Sequence, residues 1–313
     1  MFFVEKLIQL IKEKKSVVCM GLDPRMEREG EIPQYLINEF AEPNKIITEF
    51  NKILIDYACD LVPVVKPQIA FYEKYDALSA LKETIKYAQK KGLLVILDSK
   101  RNDIGPTSEA YAYSTFNVFQ ADACTLNAYF GIDGVKPYLE RYEEKGLFVL
   151  VKTSNPSSKD FQNLFSASSM AFDFQDIKDT QTEVKVQKEI TLKRNYIRMA
   201  ELIQEWGKNL QKYSEFHNMG VVVGATYPQE LKAIRDIVKN SFILIPGYGA
   251  QGASAQEVKF GFKKNGLGAL VNSSRDIIFA YNKYKKMPSE KFGEAAREEI
   301  LIINDAINRQ IGI

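Results

Sequence analysis

Residues 93–103 read Leu-Leu-Val-Ile-Leu-Asp-Ser-Lys-Arg-Asn-Asp. The first five are apolar without a break, and the run then ends in charge. A strand with both faces covered reads this way, because a parallel sheet flanked by helices has no water-facing side. Seven further short runs follow the same pattern: SVVCMGL at 16–22, LVPVVK at 61–66, ADACTLN at 121–127, LFVLVK at 147–152, GVVVGA at 220–225, FILIP at 242–246 and LGALVN at 267–272. Amphipathic helical stretches separate them, for example at 45–58, 75–91, 107–119 and 229–238. Eight strands alternating with helices predict an α/β fold, a single (β/α)8 TIM barrel forming one domain over 1–313. A doubly wound open sheet is the alternative.

Strand starts are spaced by 22 to 45 residues, with one step of 73 after the fifth strand. That step contains a Ser-, Asp- and Gln-rich stretch at about 155–190, then a helical segment running to about 213. It reads as a polar insertion in the loop after strand 5.

Composition narrows the function. The chain has 313 residues, 45% apolar and 26% charged, with 42 Lys plus Arg against 40 Asp plus Glu, a net charge of +2. Interspersed, nearly balanced charge argues against nucleic-acid binding, which needs a clustered basic face. The N-terminal MFFVEKLIQLIKEKK places Phe3, Leu7, Ile8, Leu10 and Ile11 at helical spacing with charges among them, which is unlike a signal peptide. No apolar run reaches 18 residues, so no membrane span is expected. Cys19, Cys59 and Cys124 are far apart and sit in apolar surroundings, as in a reducing compartment, so the cytoplasm is expected. With His217 the single histidine, a His-based metal site or Ser-His-Asp triad is nearly excluded.

The active site of such a barrel forms at the C-terminal strand ends, and each candidate here lies at one. They are Asp23; Lys66 and Gln68; Asp98, Lys100 and Asp103; Asn127; Lys152, Thr153 and Ser154. Asp98 and Lys100 are two apart, so both can face the barrel mouth. With Lys66 and Asp103 they would alternate two ammoniums and two carboxylates, each cation lowering its neighbours' carboxyl pKa. A structural ion-pair network is the competing reading. After strand 7 comes PGYGAQG at 246–252, and after strand 8 NSSR at 272–275. The glycines there permit close backbone approach to an anion, and the loops after strands 7 and 8 are this fold's usual phosphate site, with Arg275 able to bind bidentately. A tight turn beside a surface arginine is the plainer alternative.

These segments resemble the orotidine 5′-phosphate decarboxylase family. LDSKRNDIGPT at 97–107 is similar to its Asp-x-Lys-x-x-Asp signature. GLDPR at 21–25, VKPQIAFYE at 65–73, VKTSNP at 151–156, PGYGAQG and NSSR follow in the family's order. Lys-Pro-Gln at 66–68 resembles most the longer bacterial-type branch, and the absence of a phosphoribosyltransferase-like domain is like the standalone enzyme. The resemblance implies decarboxylation of orotidine 5′-phosphate to UMP, the last step of de novo pyrimidine synthesis, without cofactor or metal. It implies that Lys100 protonates C6, that Asp98 faces the substrate carboxylate, and that Lys66 orients Asp98 and, with Asp23 and Gln68, meets the ribose. Asp103, Ile104 and Thr107 would complete the pocket of a second subunit, in a homodimer with shared sites. Thr153 and Ser154 would read the uracil edge, Pro246 would pack on the base, and Gly249, Gln251, Gly252 and Arg275 would hold the phosphate.

Three other readings stand beside this one. A sugar-acid phosphate decarboxylase of related fold would need Mg²⁺. An aldolase would set its Schiff-base lysine in apolar surroundings, whereas Lys66 and Lys100 lie among carboxylates. A catalytically dead nucleotide-binding barrel would have no reason to keep all four charges.

Overall fold

The computed structural model describes residues 1–28, 31–167, 191–249, 252–284 and 287–313. All eight predicted strands form and close into a parallel barrel. They are β1 (Val18–Leu22), β2 (Val64–Pro67), β3 (Leu94–Arg101), β4 (Ala123–Leu126), β5 (Gly146–Lys152), β6 (Met219–Val223), β7 (Ile243–Pro246) and β8 (Ala269–Ser273). Each strand neighbours the next in sequence, and β8 returns to β1 through Val18↔Val271. The open-sheet alternative is therefore excluded. Every residue of β1, β2, β4, β6 and β8 is buried, as continuous apolar runs between a filled barrel and a helical shell require.

Two helices close the barrel's outer layers. In Phe3–Lys14, the buried Phe3, Val4, Leu7, Ile8 and Ile11 form one stripe. Phe3 meets Phe148 of β5 edge-on at 6.0 Å, and Val4 N–H donates to Asn218 Oδ1 at 2.9 Å, just before β6. The C-terminal helix Phe292–Ile311 packs on Pro43–Ala58, with Phe50 and Phe292 stacked at 5.1 Å. At the N-terminal end of the strands, buried Arg235 donates to the carbonyls of Val238, Gly261 and Gly268 and ties together the turns before β7 and β8.

The helix expected at 75–91 forms as Leu78–Lys90, and a separate short helix, Ile69–Lys74, precedes it across a left-handed step at Asp76 (φ 50°). The helix expected to run to about 213 stops at Trp206. Beyond it, Lys212–Tyr213 pairs with Phe216–His217 in a two-residue ribbon. The described beginning of the polar insertion holds a short helix, Lys159–Gln162, and Phe165–Ser166 paired antiparallel with Lys193–Arg194. The rest of the insertion, 168–190, lies outside the described residues.

Candidate active site

The site begins with an irregularity in β3. Leu97 pairs with Cys124 and Arg101 with Leu126, so four steps along β3 match two along β4. The two extra residues are absorbed where Lys100 adopts φ 48°, a left-handed conformation that costs a non-glycine residue energy and needs support. Thr125 of β4 supplies it. The backbone N–H groups of Ser99 and Lys100 donate to Thr125 Oγ1 at 3.1 and 3.0 Å. The same hydroxyl donates to Asp98 Oδ1 at 2.7 Å. One buried side chain thus sets both the bulge and the carboxylate.

Asp98 sits between two ammoniums. Lys66 Nζ lies 2.7 Å from its Oδ2, and Lys100 Nζ 2.6 Å from its Oδ1. Asp98 and Lys66 are only 6% and 5% exposed, while the Lys100 side chain is 42% exposed and presents its ammonium to the mouth. Burial by itself would raise the Asp98 carboxyl, but Lys66 and Lys100 outweigh it and hold the group well below the usual carboxylate range. Burial likewise opposes the charge on Lys66, but Asp98 and Asp23 overcome it and hold this ammonium above the usual lysine range. Asp98 and Lys66 are therefore both charged at neutral pH, and their pairing is in place before any ligand arrives.

A cavity of about 320 Å³ opens from Lys66 toward the loops after β7 and β8. Asp23, Lys66, Pro246 and Arg275, four residues singled out in the sequence, line it, together with Arg25, Phe71, Gly247, Tyr248, Asn272 and Ser274. Asp23 Oδ1 is buried and has no hydrogen-bond partner among the described residues, so it is an acceptor that a ligand hydroxyl could satisfy. Beyond Pro246 the chain makes a tight turn, with Gly252 N–H donating to Gly249 O at 2.7 Å and Gly249 N–H to Ala253 O at 2.9 Å. Gly249 has φ 69°, and a Cβ there would meet the Asp276 carboxylate, so a larger residue would be strained and would have to displace that side chain. Gln251 lies outside the described residues.

Other expected residues take different positions. Asp103 does not join the charge chain: its carboxylate accepts from Ile104 N–H at 2.8 Å and makes no ion pair with Lys66 or Lys100 within the chain. The bulge and the turn after β3 carry it away from the pair. Ile104, 53% exposed, and Thr107, also exposed, lie with it on the rim. Gln68 caps the helix Ile69–Lys74, its Oε1 accepting from Ala70 N–H at 3.3 Å. Thr153 is clasped by Gln162, its N–H donating to Gln162 Oε1 at 3.0 Å and its Oγ1 accepting from Gln162 Nε2 at 2.9 Å. Ser154 is fixed through its carbonyl, which accepts from Thr226 Oγ1 at 3.4 Å. Among the described residues, no group of three or more His, Cys, Asp or Glu side chains is placed to hold a metal ion, and no helix is long and apolar enough to cross a membrane.

The sequence reading passed over Thr125 and Gln162. Thr125 carries a signal in retrospect, a lone hydroxyl within the apolar ADACTL of β4, two residues from Asn127 on the same face. Gln162 carries none, because its pairing with Thr153 depends on how the chain turns after β5.

Fold and site together define a (β/α)8-barrel enzyme with a preformed lysine–carboxylate–lysine chain at its mouth. The chain belongs to the orotidine 5′-phosphate decarboxylase / HUMPS family, which it matches over residues 16–287. It is 37% identical to orotidine 5′-phosphate decarboxylase of Caldicellulosiruptor saccharolyticus, over 99% of both chains. To the enzyme of that name from Clostridium acetobutylicum it is 39% identical, over 96% of both. Its structure is similar to that of Leishmania donovani OMP decarboxylase, with a TM-score of 0.70 and 29% identity over 98% of this chain and 100% of the other.

Proposed function

We propose that this protein decarboxylates orotidine 5′-phosphate to UMP and CO2, the last step of de novo pyrimidine synthesis, and that the Lys66–Asp98–Lys100 chain performs it. Family membership supports the reaction. The observation that carries the mechanism is the exposed Lys100 ammonium held 2.6 Å from a buried, charged carboxylate beside a cavity that ends at Arg275.

Loss of CO2 from C6 leaves an electron pair in the plane of the pyrimidine ring, where the ring carbonyls cannot delocalise it. Stabilisation must come from fixed charge already in place, and the barrier reduction required is about 23 kcal/mol, the upper part of the enzymatic range. In this reading Lys100 stabilises the developing carbanion and donates a proton to C6. Asp98 stands against the departing carboxylate and holds Lys100 in place, while Lys66 keeps Asp98 charged. Lys66, Asp23 and Gln68 meet the ribose, Gln68 with its amide nitrogen and the remaining lone pair of the oxygen that caps the helix. Thr153 and Ser154 read the uracil edge and Pro246 packs on the base. Gly249, Gln251, Gly252 and Arg275 take the phosphate, whose binding energy orients C6 over Lys100. These side chains are sufficient without a metal or cofactor.

The working unit is a homodimer. Ile104 and Thr107 are exposed beside a half-buried Asp103 whose carboxylate is unengaged by either lysine, which supports their reaching into a partner's site across a two-fold axis. Cysteines that are all free, two of them buried, support a cytoplasmic location.

The test is the loss of orotidine 5′-phosphate absorbance on adding EDTA-treated protein. Rapid, chelator-resistant conversion to UMP is expected. A requirement for added Mg²⁺ or an absence of turnover would overturn the reading.

A further inference from the structure

The GLDPR segment carries an arginine to which the charge chain gives no task. Arg25 follows Asp23 by two residues and lines the same cavity as Arg275. Its guanidinium carbon lies 5.4 Å from the centre of the Phe279 ring, in the segment that Arg275 begins. Its Nη2 is 2.6 Å from Glu31 Oε1, and the two side chains are only 13% and 14% exposed. The pairing is incomplete. Arg25 Nε and Glu31 Oε2 are both buried, and neither has a hydrogen-bond partner among the described residues. Arg28 Nη1 also lies 3.9 Å from Glu31 Oε1, and Arg275, which lines the cavity with Arg25, acts electrostatically on the same carboxyl.

A guanidinium carries five N–H groups in a rigid fork. The Phe279 ring and Glu31 contact one part of that fork, and the residue also lines the cavity. A phosphate monoester carries between about −1.5 and −2 charges at pH 7, more than one arginine neutralises. We propose that Arg25 is a second binding residue for the 5′-phosphate of the substrate, acting with Arg275, and that Glu31 positions it and keeps it paired when the cavity is empty. This inference rests on the proposed reaction for the identity of the ligand.

The experiment compares calorimetric binding of UMP and of uridine to the wild type, Arg25→Gln, Arg25→Lys and Glu31→Gln, alongside turnover of orotidine 5′-phosphate. Arg25→Gln should weaken UMP about 10- to 100-fold, the worth of a charge-assisted contact, and leave uridine binding unchanged. KM should rise by a similar factor with kcat within a few-fold. Arg25→Lys, which keeps the charge but not the fork, should fall between and carries the test if the glutamine variant does not fold. Glu31→Gln should bind UMP at least as tightly as the wild type.

Wild-type discrimination between UMP and uridine in a folded Arg25 variant would overturn the proposal. So would equal losses of both ligands, or a UMP loss in Glu31→Gln matching that in Arg25→Gln, since either would mark the pair as a purely structural brace. Failure of the reaction itself reads out separately: a wild type that binds UMP but does not turn over substrate overturns the proposed chemistry and leaves the UMP–uridine comparison to decide Arg25.

Discussion

Lys100 Nζ lies 2.6 Å from Asp98 Oδ1, although the two residues are only two apart on one strand and Lys100 stands in a left-handed backbone conformation. A regular strand would hold its side chains roughly parallel at this spacing. The bulge in β3 bends the lysine onto the carboxylate, so a 42% exposed lysine side chain is held on the buried Asp98, whose other oxygen pairs with the cavity-lining Lys66.

Lys100→Ala is therefore expected to lower kcat by at least about 10³-fold, since it removes both the proton donor and the nearest positive charge. Melting temperature and UMP affinity should stay close to wild type, because the side chain is 42% exposed and Lys66 still pairs with Asp98. Absorbance kinetics and thermal melts check this; substantial residual turnover would show that another group delivers the proton.

Thr125→Val keeps the shape of the side chain and deletes its hydroxyl. Two backbone N–H groups lose their partner, and Asp98 Oδ1 loses one of its two donors, keeping Lys100 Nζ. The expected cost is about 1–3 kcal/mol in denaturant unfolding, with kcat lowered about 10- to 100-fold as Lys100 drifts from its position. A loss confined to stability, with kcat unchanged, would limit Thr125 to a structural part.

The Lys66–Asp98 pair should be insensitive to pH across the ordinary range. Asp98 is held below its ordinary 3.8, so the stability it contributes is present above that value and is lost as pH falls through its lower folded value. Lys66 is held above its ordinary 10.5, so its contribution is complete below that value and is lost as pH rises through its higher folded value. At saturating substrate, kcat should carry no limb from either group between about pH 5 and 9. A limb in that window that moves in Asp98→Glu would contradict the arrangement.

Shared sites predict complementation. Lys100→Ala and Asp103→Ala homodimers should each be nearly inactive, yet mixing them in equal amounts should restore about a quarter of the wild-type sites, because half the dimers are hybrids with one intact site. Additive, near-zero activity after verified subunit exchange would place Asp103 within its own chain's site or outside catalysis.

Much of this was legible in the amino-acid order. Short apolar runs ending in charge located the strands, because burial on both faces demands a continuous run and the barrel places its chemistry where that run stops. Lys66, Asp98 and Arg275 were singled out on the same ground, and the structure sets Lys66 against Asp98 and places Lys66 and Arg275 on one cavity. Asp103 was not separable from them, since three residues of sequence do not reveal a two-residue bulge that turns the chain outward. Thr125 was overlooked because a threonine in a buried strand reads as a β-branched filler until its hydroxyl is seen to bridge two strands.

The sequence by itself determined the alternation of strands and helices and the ends at which polar groups gather, because hydrophobic periodicity is local in the chain; closure of the sheet into a barrel rests on the pairing of β8 with β1. Only the tertiary structure decided how those groups meet: Lys66 across β2 onto Asp98, Thr125 across β4 beneath Lys100, Arg25 against Glu31 and Phe279. Such pairings depend on register, backbone handedness and side-chain direction between segments far apart in sequence, and these are fixed when the barrel closes.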